Sequence, residues 1–124
     1  MSNIQIWHNP RCSKSRNGLN ILEENGIEVE VVKYLDTPHS QEEITNLLKM
    51  LGMNARELMR TKESIYKELD LKNENDEGKL IQAMVENPKL IERPIVIKEG
   101  KAVIGRPIEN IMELVKGDTH PKSN

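Results

Sequence analysis

The spacing of apolar positions changes along this chain, and each change marks an element. Ile4-Gln-Ile-Trp-His8 alternates loosely and predicts a short strand. Asn9-Pro10 breaks it. Leu19, Ile21 and Leu22 then give an apolar face to a helix that starts at or just after Cys12 and stops at Asn25-Gly26. Val29 to Leu35 is rich in β-branched residues and predicts a second strand. Strand, helix and strand within about thirty residues form a βαβ unit, which implies parallel strands and a right-handed crossover.

Helical spacing governs the middle of the chain. Ser40 and Glu43 are placed as a capping box before Ile44, Leu47, Leu48 and Leu51, and Gly52 closes that helix. Asn54 and Glu57 repeat the signal ahead of Leu58 and Met59. The polar stretch Asn73 to Gly78 predicts a loop. Leu80, Ile81, Met84 and Val85 predict another amphipathic helix that ends before Pro88.

The last third returns to strands. Ile95-Val-Ile97 and Ala102-Val-Ile104 are joined through Glu99-Gly100, a hairpin turn. Pro107 suits the first position of a helix, with Ile108, Ile111, Met112 and Val115 as its buried stripe. The order is βαβ, a helical insert, then ββα. It predicts an α/β fold of thioredoxin-like layout, with a mixed four-stranded sheet covered by helices. One domain spans 1–115, and 116–124 is a polar, frayed tail.

Length and composition narrow the function classes. A chain of 124 residues fits one domain and can bury a core without disulfides or metals. That core is aliphatic, since the chain has no Phe, one Trp and two Tyr. A net charge of −2 and so few aromatic rings argue against a nucleic-acid platform. No apolar run approaches the roughly 20 residues that span a bilayer. The N-terminal Met-Ser-Asn-Ile-Gln-Ile lacks the features of a signal peptide, so the expected location is the cytoplasm, with no membrane partner. No apolar stripe is left over for self-association, and a monomer is expected.

Charge distribution changes the picture more than its total. The first acidic residue is Glu23, whereas Arg11, Lys14 and Arg16 precede it, so the cationic end of the chain also holds its single cysteine. Cys12 follows a proline turn and has Arg11, Ser13, Lys14 and Ser15 as neighbours, none of them a core type. A helix start and nearby cations both depress a thiol pKa and favour the nucleophilic thiolate. The free N–H groups of the same helix start suit an anion, and Ser13 and Ser15 add hydroxyls. His8 lies four residues before Cys12. Spacing leaves three roles open for it: a cation beside the thiolate, a donor to a bound anion, or a strand-end histidine satisfied by backbone. Arg60, Arg93 and Arg106 are the side-chain type that grips tetrahedral oxyanions. Arg93 and Arg106 each precede a proline and so fall at the ends of the hairpin strands. No periodicity brings all three to Cys12. There is no Cys/His spacing of a metal site and no glycine pattern of a nucleotide site.

These residues form a familiar set. His8-Asn-Pro-x-Cys12-x-x-Ser15-Arg16-Asn17, Leu58-Met-Arg60, Asn87-Pro88, Glu92-Arg93-Pro94-Ile-Val-Ile97 and Gly105-Arg106-Pro107 resemble the glutaredoxin-dependent arsenate reductase family, from about Ile4 to Val115. The resemblance implies a thioredoxin-like fold with an added helical region. It implies that Cys12 attacks arsenate to form a thiol–arsenate adduct, that His8 and Ser15 support the thiolate, and that Arg60, Arg93 and Arg106 hold the oxyanion. Pro94 matches a proline, cis in such folds, opposite the cysteine. Glutathione would be a co-substrate, glutaredoxin the second donor, and no cofactor would be bound. Ser13-Lys14 departs from the smaller pair found in some members. The single cysteine fits this scheme, because a second thiol must come from outside, and it excludes the phosphatase-like reductases that use several cysteines of their own.

Two other readings use the same residues. An Spx-type regulator would bind RNA polymerase and sense oxidation through Cys-x-x-Cys, but the fourth position here is Ser15. A monothiol oxidoreductase acting on glutathione adducts, without arsenate, is compatible with Cys12-Ser-Lys-Ser15.

Overall fold

The computed structural model describes residues 4–116, in the order β1 (Ile4–Trp7), α1 (Ser13–Glu24), β2 (Glu30–Val32), α2 (Gln41–Leu51), α3 (Ala55–Leu58), α4 (Ser64–Glu68), α5 (Glu77–Glu86), β3 (Ile95–Lys98), β4 (Lys101–Ile104) and α6 (Glu109–Leu114). The chain forms two compact units, one built from residues up to 34 and from 93 onward, the other from 35–92. The tail reading from residue 117 falls outside the described residues.

The first unit holds a four-stranded sheet in the order β2-β1-β3-β4. β1 pairs with β2 in parallel, Ile6 opposite Val31, as the βαβ reading requires. β3 runs antiparallel to β1, with Val96 opposite Ile6, and β4 antiparallel to β3. This mixed sheet with a helical insert between β2 and β3 is the thioredoxin-like layout. One face carries Ile4, Ile6 and Val96, which pack with Leu22 of α1 and with Ile27, Ile111 and Val115 in a single core. Leu22, Ile111 and Val115 are fully buried, and each such aliphatic side chain contributes about 1.5–3 kcal/mol. Trp7 stacks on Tyr34 with ring centroids 5.9 Å apart.

Local chemistry explains most boundaries. The β3–β4 turn places Glu99 at φ 46° and Gly100 at φ 84°, the paired positive values of a two-residue hairpin. β2 is only three residues long, shorter than Val29–Leu35, because it is an edge strand with Glu30 and Val31 exposed. Pro107 does not open α6. The chain turns first, and the helix begins at Glu109 after Ile108, with the Pro107 carbonyl accepting from the Asn110 N–H.

The second unit is helical. The Ser40 hydroxyl caps α2 by accepting from the Glu43 N–H, but the Glu43 carboxylate is taken by the His39 ring, so only half of the expected box forms. Gly52 ends α2 at φ 70°. At α3 the box is complete, with Asn54 and Glu57 each bonding the other's backbone N–H at 3.0 Å. α3 stops after Leu58 because Met59 turns extended and bridges to Ile91. The loop expected to reach Gly78 is shorter. Asp76 caps α5 by accepting from the Lys79 N–H, and the helix starts at Glu77. Arg56 binds this stretch together by donating to the Tyr66 hydroxyl and to the Leu71 and Glu74 carbonyls.

Candidate active site

Every group that touches the Cys12 thiol in the first unit arrives from the end of a strand or the start of a helix. β1 ends at Trp7, and the Asn9 side chain then accepts from the Arg11 N–H while its carbonyl accepts from the Cys12 N–H, both at 3.0 Å. This double turn around Pro10 delivers Cys12 in extended conformation as the N-cap of α1. Its carbonyl accepts the first helical bond, from the Arg16 N–H, and the Arg16 guanidinium returns to the Pro10 carbonyl at 2.9 Å. The thiol is half-buried and free.

The thiol's surroundings stabilise negative charge. Burial pushes the Cys12 thiol up, but the Ser15 N–H, the Arg93 guanidinium, the Lys14 N–H and the charge of Arg93 outweigh it, and the net effect is a depressed pKa. The Arg106 guanidinium adds a contact, with Nη2 3.6 Å from Sγ. Its Nε donates to the Arg93 carbonyl at 2.7 Å, so the two arginines are linked to each other. Arg93 leads into β3 through a cis peptide to Pro94, and Arg106 follows β4.

His8 and Ser15 form a buried pair beneath the loop. His8 Nδ1 lies 2.7 Å from Ser15 Oγ, and that hydroxyl also accepts from the Asn9 N–H at 2.9 Å. Burial lowers the His8 pKa. A hydrogen bond with the Ser15 main chain opposes this, the charges of Arg16 and Lys33 reinforce it, and Glu23 opposes it, so the net pKa is lowered and the ring is mostly uncharged at neutral pH. Both the hydroxyl and the main chain of Ser15 therefore engage this strand-end histidine.

Cys12, His8, Ser15, Arg93, Pro94 and Arg106 belong to the first unit, whereas Arg60 belongs to the second. There Arg60 lies between Glu63 and Glu92, at 3.5 and 3.4 Å, and its N–H donates to the Leu90 carbonyl. Sequence reasoning passed over one bond of the site's framework. Asn9 breaks the strand with Pro10 and stands in the family motif, and Asn at the start of a turn also signals the side-chain bond it makes here. Among the described residues, no group of three or more His, Cys, Asp or Glu side chains could hold a metal ion, and no helix is long and apolar enough to cross a membrane.

A thiol of depressed pKa at a helix start, with two arginines from the strand ends beside it, is the defining arrangement of this thioredoxin-like unit. Comparison with known proteins makes the assignment specific: the ArsC family model matches residues 7–114, and the chain belongs to that family. It is 61% identical over 114 residues to the Escherichia coli protein YfgD, covering 90% of this chain and 96% of that one. It is 54% identical over 113 residues to an arsenate reductase of Neisseria meningitidis serogroup A, covering 90% and 97%. A solved structure of an arsenate reductase from Vibrio cholerae superposes with a TM-score of 0.86 at 50% identity, covering 89% of this chain and 95% of that one.

Proposed function

We propose that this protein reduces arsenate to arsenite, with the Cys12 thiolate as nucleophile and glutathione and glutaredoxin as electron donors. The observation that carries the reading is the thiol itself: half-buried at a helix start, lowered in pKa, and 3.6 Å from the Arg106 guanidinium. Relatives named arsenate reductase, at 54% identity, support the substrate.

Cys12 Sγ bonds to arsenic(V) as one arsenate oxygen leaves as water. Arg93 and Arg106 hold the remaining oxygens. A glutathione thiolate displaces a second oxygen as water, leaving arsenic(V) between two sulfurs. A glutaredoxin thiolate then attacks the glutathione sulfur. The electron pair of the breaking arsenic–sulfur bond stays on arsenic, which becomes arsenic(III), and a mixed disulfide leaves on glutaredoxin. Water frees arsenite from Cys12. Both electrons come from outside thiols, as a chain with one cysteine requires. His8 acts through Ser15, as an uncharged partner that fixes the hydroxyl and the Asn9 N–H under the thiol loop. The protein works as a monomer in the cytoplasm, where glutathione keeps thiols reduced, and binds no cofactor.

The test is arsenite release with glutathione plus glutaredoxin, against thioredoxin plus its reductase. The first mixture should support turnover and the second should not. Equal rates with thioredoxin alone would remove glutathione from the mechanism.

A further inference from the structure

Two residues with no side chain pack beside the segments that carry Arg93 and Arg106. Gly105 follows β4, is buried, and donates its N–H to the Pro94 carbonyl at 2.8 Å. A Cβ there would lie 2.6 Å from Ile111 Cδ1 and 2.9 Å from Pro94 Cγ. Gly18, one helical turn beyond Ser15 on α1, faces the same two side chains. A Cβ on it would lie 3.0 Å from each. Neither glycine has a positive φ, so backbone freedom is not what these positions use. They use the missing volume. The Pro94 ring sits against both glycines, and Arg93 and Arg106 are the residues next to Pro94 and Gly105.

We propose that Gly105 and Gly18 are positioning residues, whose lack of a Cβ seats the Pro94 ring between α1 and the end of β4 and thereby sets Arg93 and Arg106 at the Cys12 thiol. This deepens the oxyanion-reductase reading and rests on it. The Ile111 methyl can rotate away only into a close-packed core, since Ile111 is fully buried. The Pro94 ring is closed on the main chain, so Cγ can change pucker but the ring cannot swing aside as a free side chain would. A methyl at 105 must therefore separate the chain after β4 from the chain before β3. That is where the Pro94 carbonyl meets the Gly105 N–H and the Arg93 carbonyl meets Arg106 Nε. A methyl at 18 needs a smaller shift, so its effect should be weaker.

The test compares Gly105→Ala, Gly18→Ala and Ile111→Val by melting temperature, by the pH midpoint of Cys12 alkylation, and by the arsenate concentration that raises the melting temperature. Ile111→Val should lower the melting temperature and leave the Cys12 midpoint alone. Gly105→Ala should raise the midpoint and weaken arsenate binding by roughly tenfold or more, the scale expected when charged groups are displaced by a fraction of an ångström to an ångström. Gly18→Ala should shift both in the same direction by less. Adding Ile111→Val to Gly105→Ala removes the nearer contact but not the one with Pro94, so it should recover melting temperature without restoring the midpoint. If Gly105→Ala does not fold, Gly18→Ala decides the matter alone. Glycine variants that lose stability but keep the parent midpoint and arsenate affinity would overturn the proposal. A parent protein that fails to bind arsenate would instead count against the reductase reading, and the Cys12 midpoints would still report on positioning.

Discussion

At the scale of single residues, the thiol is governed by a contest between burial and donors. Burial alone would raise the Cys12 pKa, and the loop N–H groups and Arg93 reverse its sign. A thiol lowered in the folded state adds stability that is fully present above its unfolded pKa of about 8.5 and is lost as pH falls through the folded value. The melting temperature of the parent, minus that of Cys12→Ser, should therefore rise with pH through that window and flatten above it. A flat difference across the window would mean that the thiol is not perturbed. Removal of Arg93's guanidinium by Arg93→Ala should raise the pH at which Cys12 is alkylated. Ser15 is a second residue-scale case. Its hydroxyl serves both the His8 ring and the Asn9 N–H in a buried setting. Ser15→Ala leaves the buried His8 ring and the part-buried Asn9 N–H short of a partner, at a cost of about 1–3 kcal/mol for a fully buried group and less for the other. Denaturant unfolding should register a loss within that range, and a loss under about 0.5 kcal/mol, the size of an ordinary surface change, would mean that the pair is not structural.

At the scale of elements, caps and pairing partners decided where helices and strands end. The complete box at α3 and the half box at α2 differ only in what the glutamate does, and His39 claims Glu43. Asn54→Ala should cost about 1 kcal/mol, within the usual 0.5–2 for a lost N-cap. Glu57→Gln, which keeps an acceptor for the Asn54 N–H, should cost less. Equal losses for the two would show that charge, and not the reciprocal bonding, carries the cap. Sequence pattern located β1, α1, the hairpin and α2 because each combines apolar periodicity with a terminator of its own: Asn9-Pro10, Asn25-Gly26, Glu99-Gly100 and Gly52. It was less informative where tertiary bonding sets the boundary. Met59 pairs with Ile91 and cuts α3 short, and Asp76 caps α5 ahead of its first apolar residue. Pro107, which suits a helix start on local grounds, lies in the turn before α6.

At the scale of the whole molecule, the site joins residues that are far apart in sequence, and this limits what a single sequence can reveal. Cys12 and its helix start are local and could be read directly. Arg93 and Arg106 come from beyond the helical insert, and only the antiparallel pairing of β1, β3 and β4 brings their chain segments back to the start of α1. No local pattern contains that information, so residue type marks the arginines as oxyanion-binding candidates and only the family motifs tie them to Cys12. The same holds for Gly18 and Gly105, whose neighbours Pro94 and Ile111 are distant in sequence from at least one of them. The thioredoxin-like layout and membership of the ArsC family agree with the motif order in the chain. The central claim is that one thiolate carries the chemistry. It is tested most directly by arsenite release from arsenate by the parent and by Cys12→Ser, at equal concentration with glutathione and glutaredoxin in excess. The parent should release arsenite over many turnovers and Cys12→Ser none above the protein-free control. Release by Cys12→Ser at the parent's rate, or none by the parent, would contradict the account.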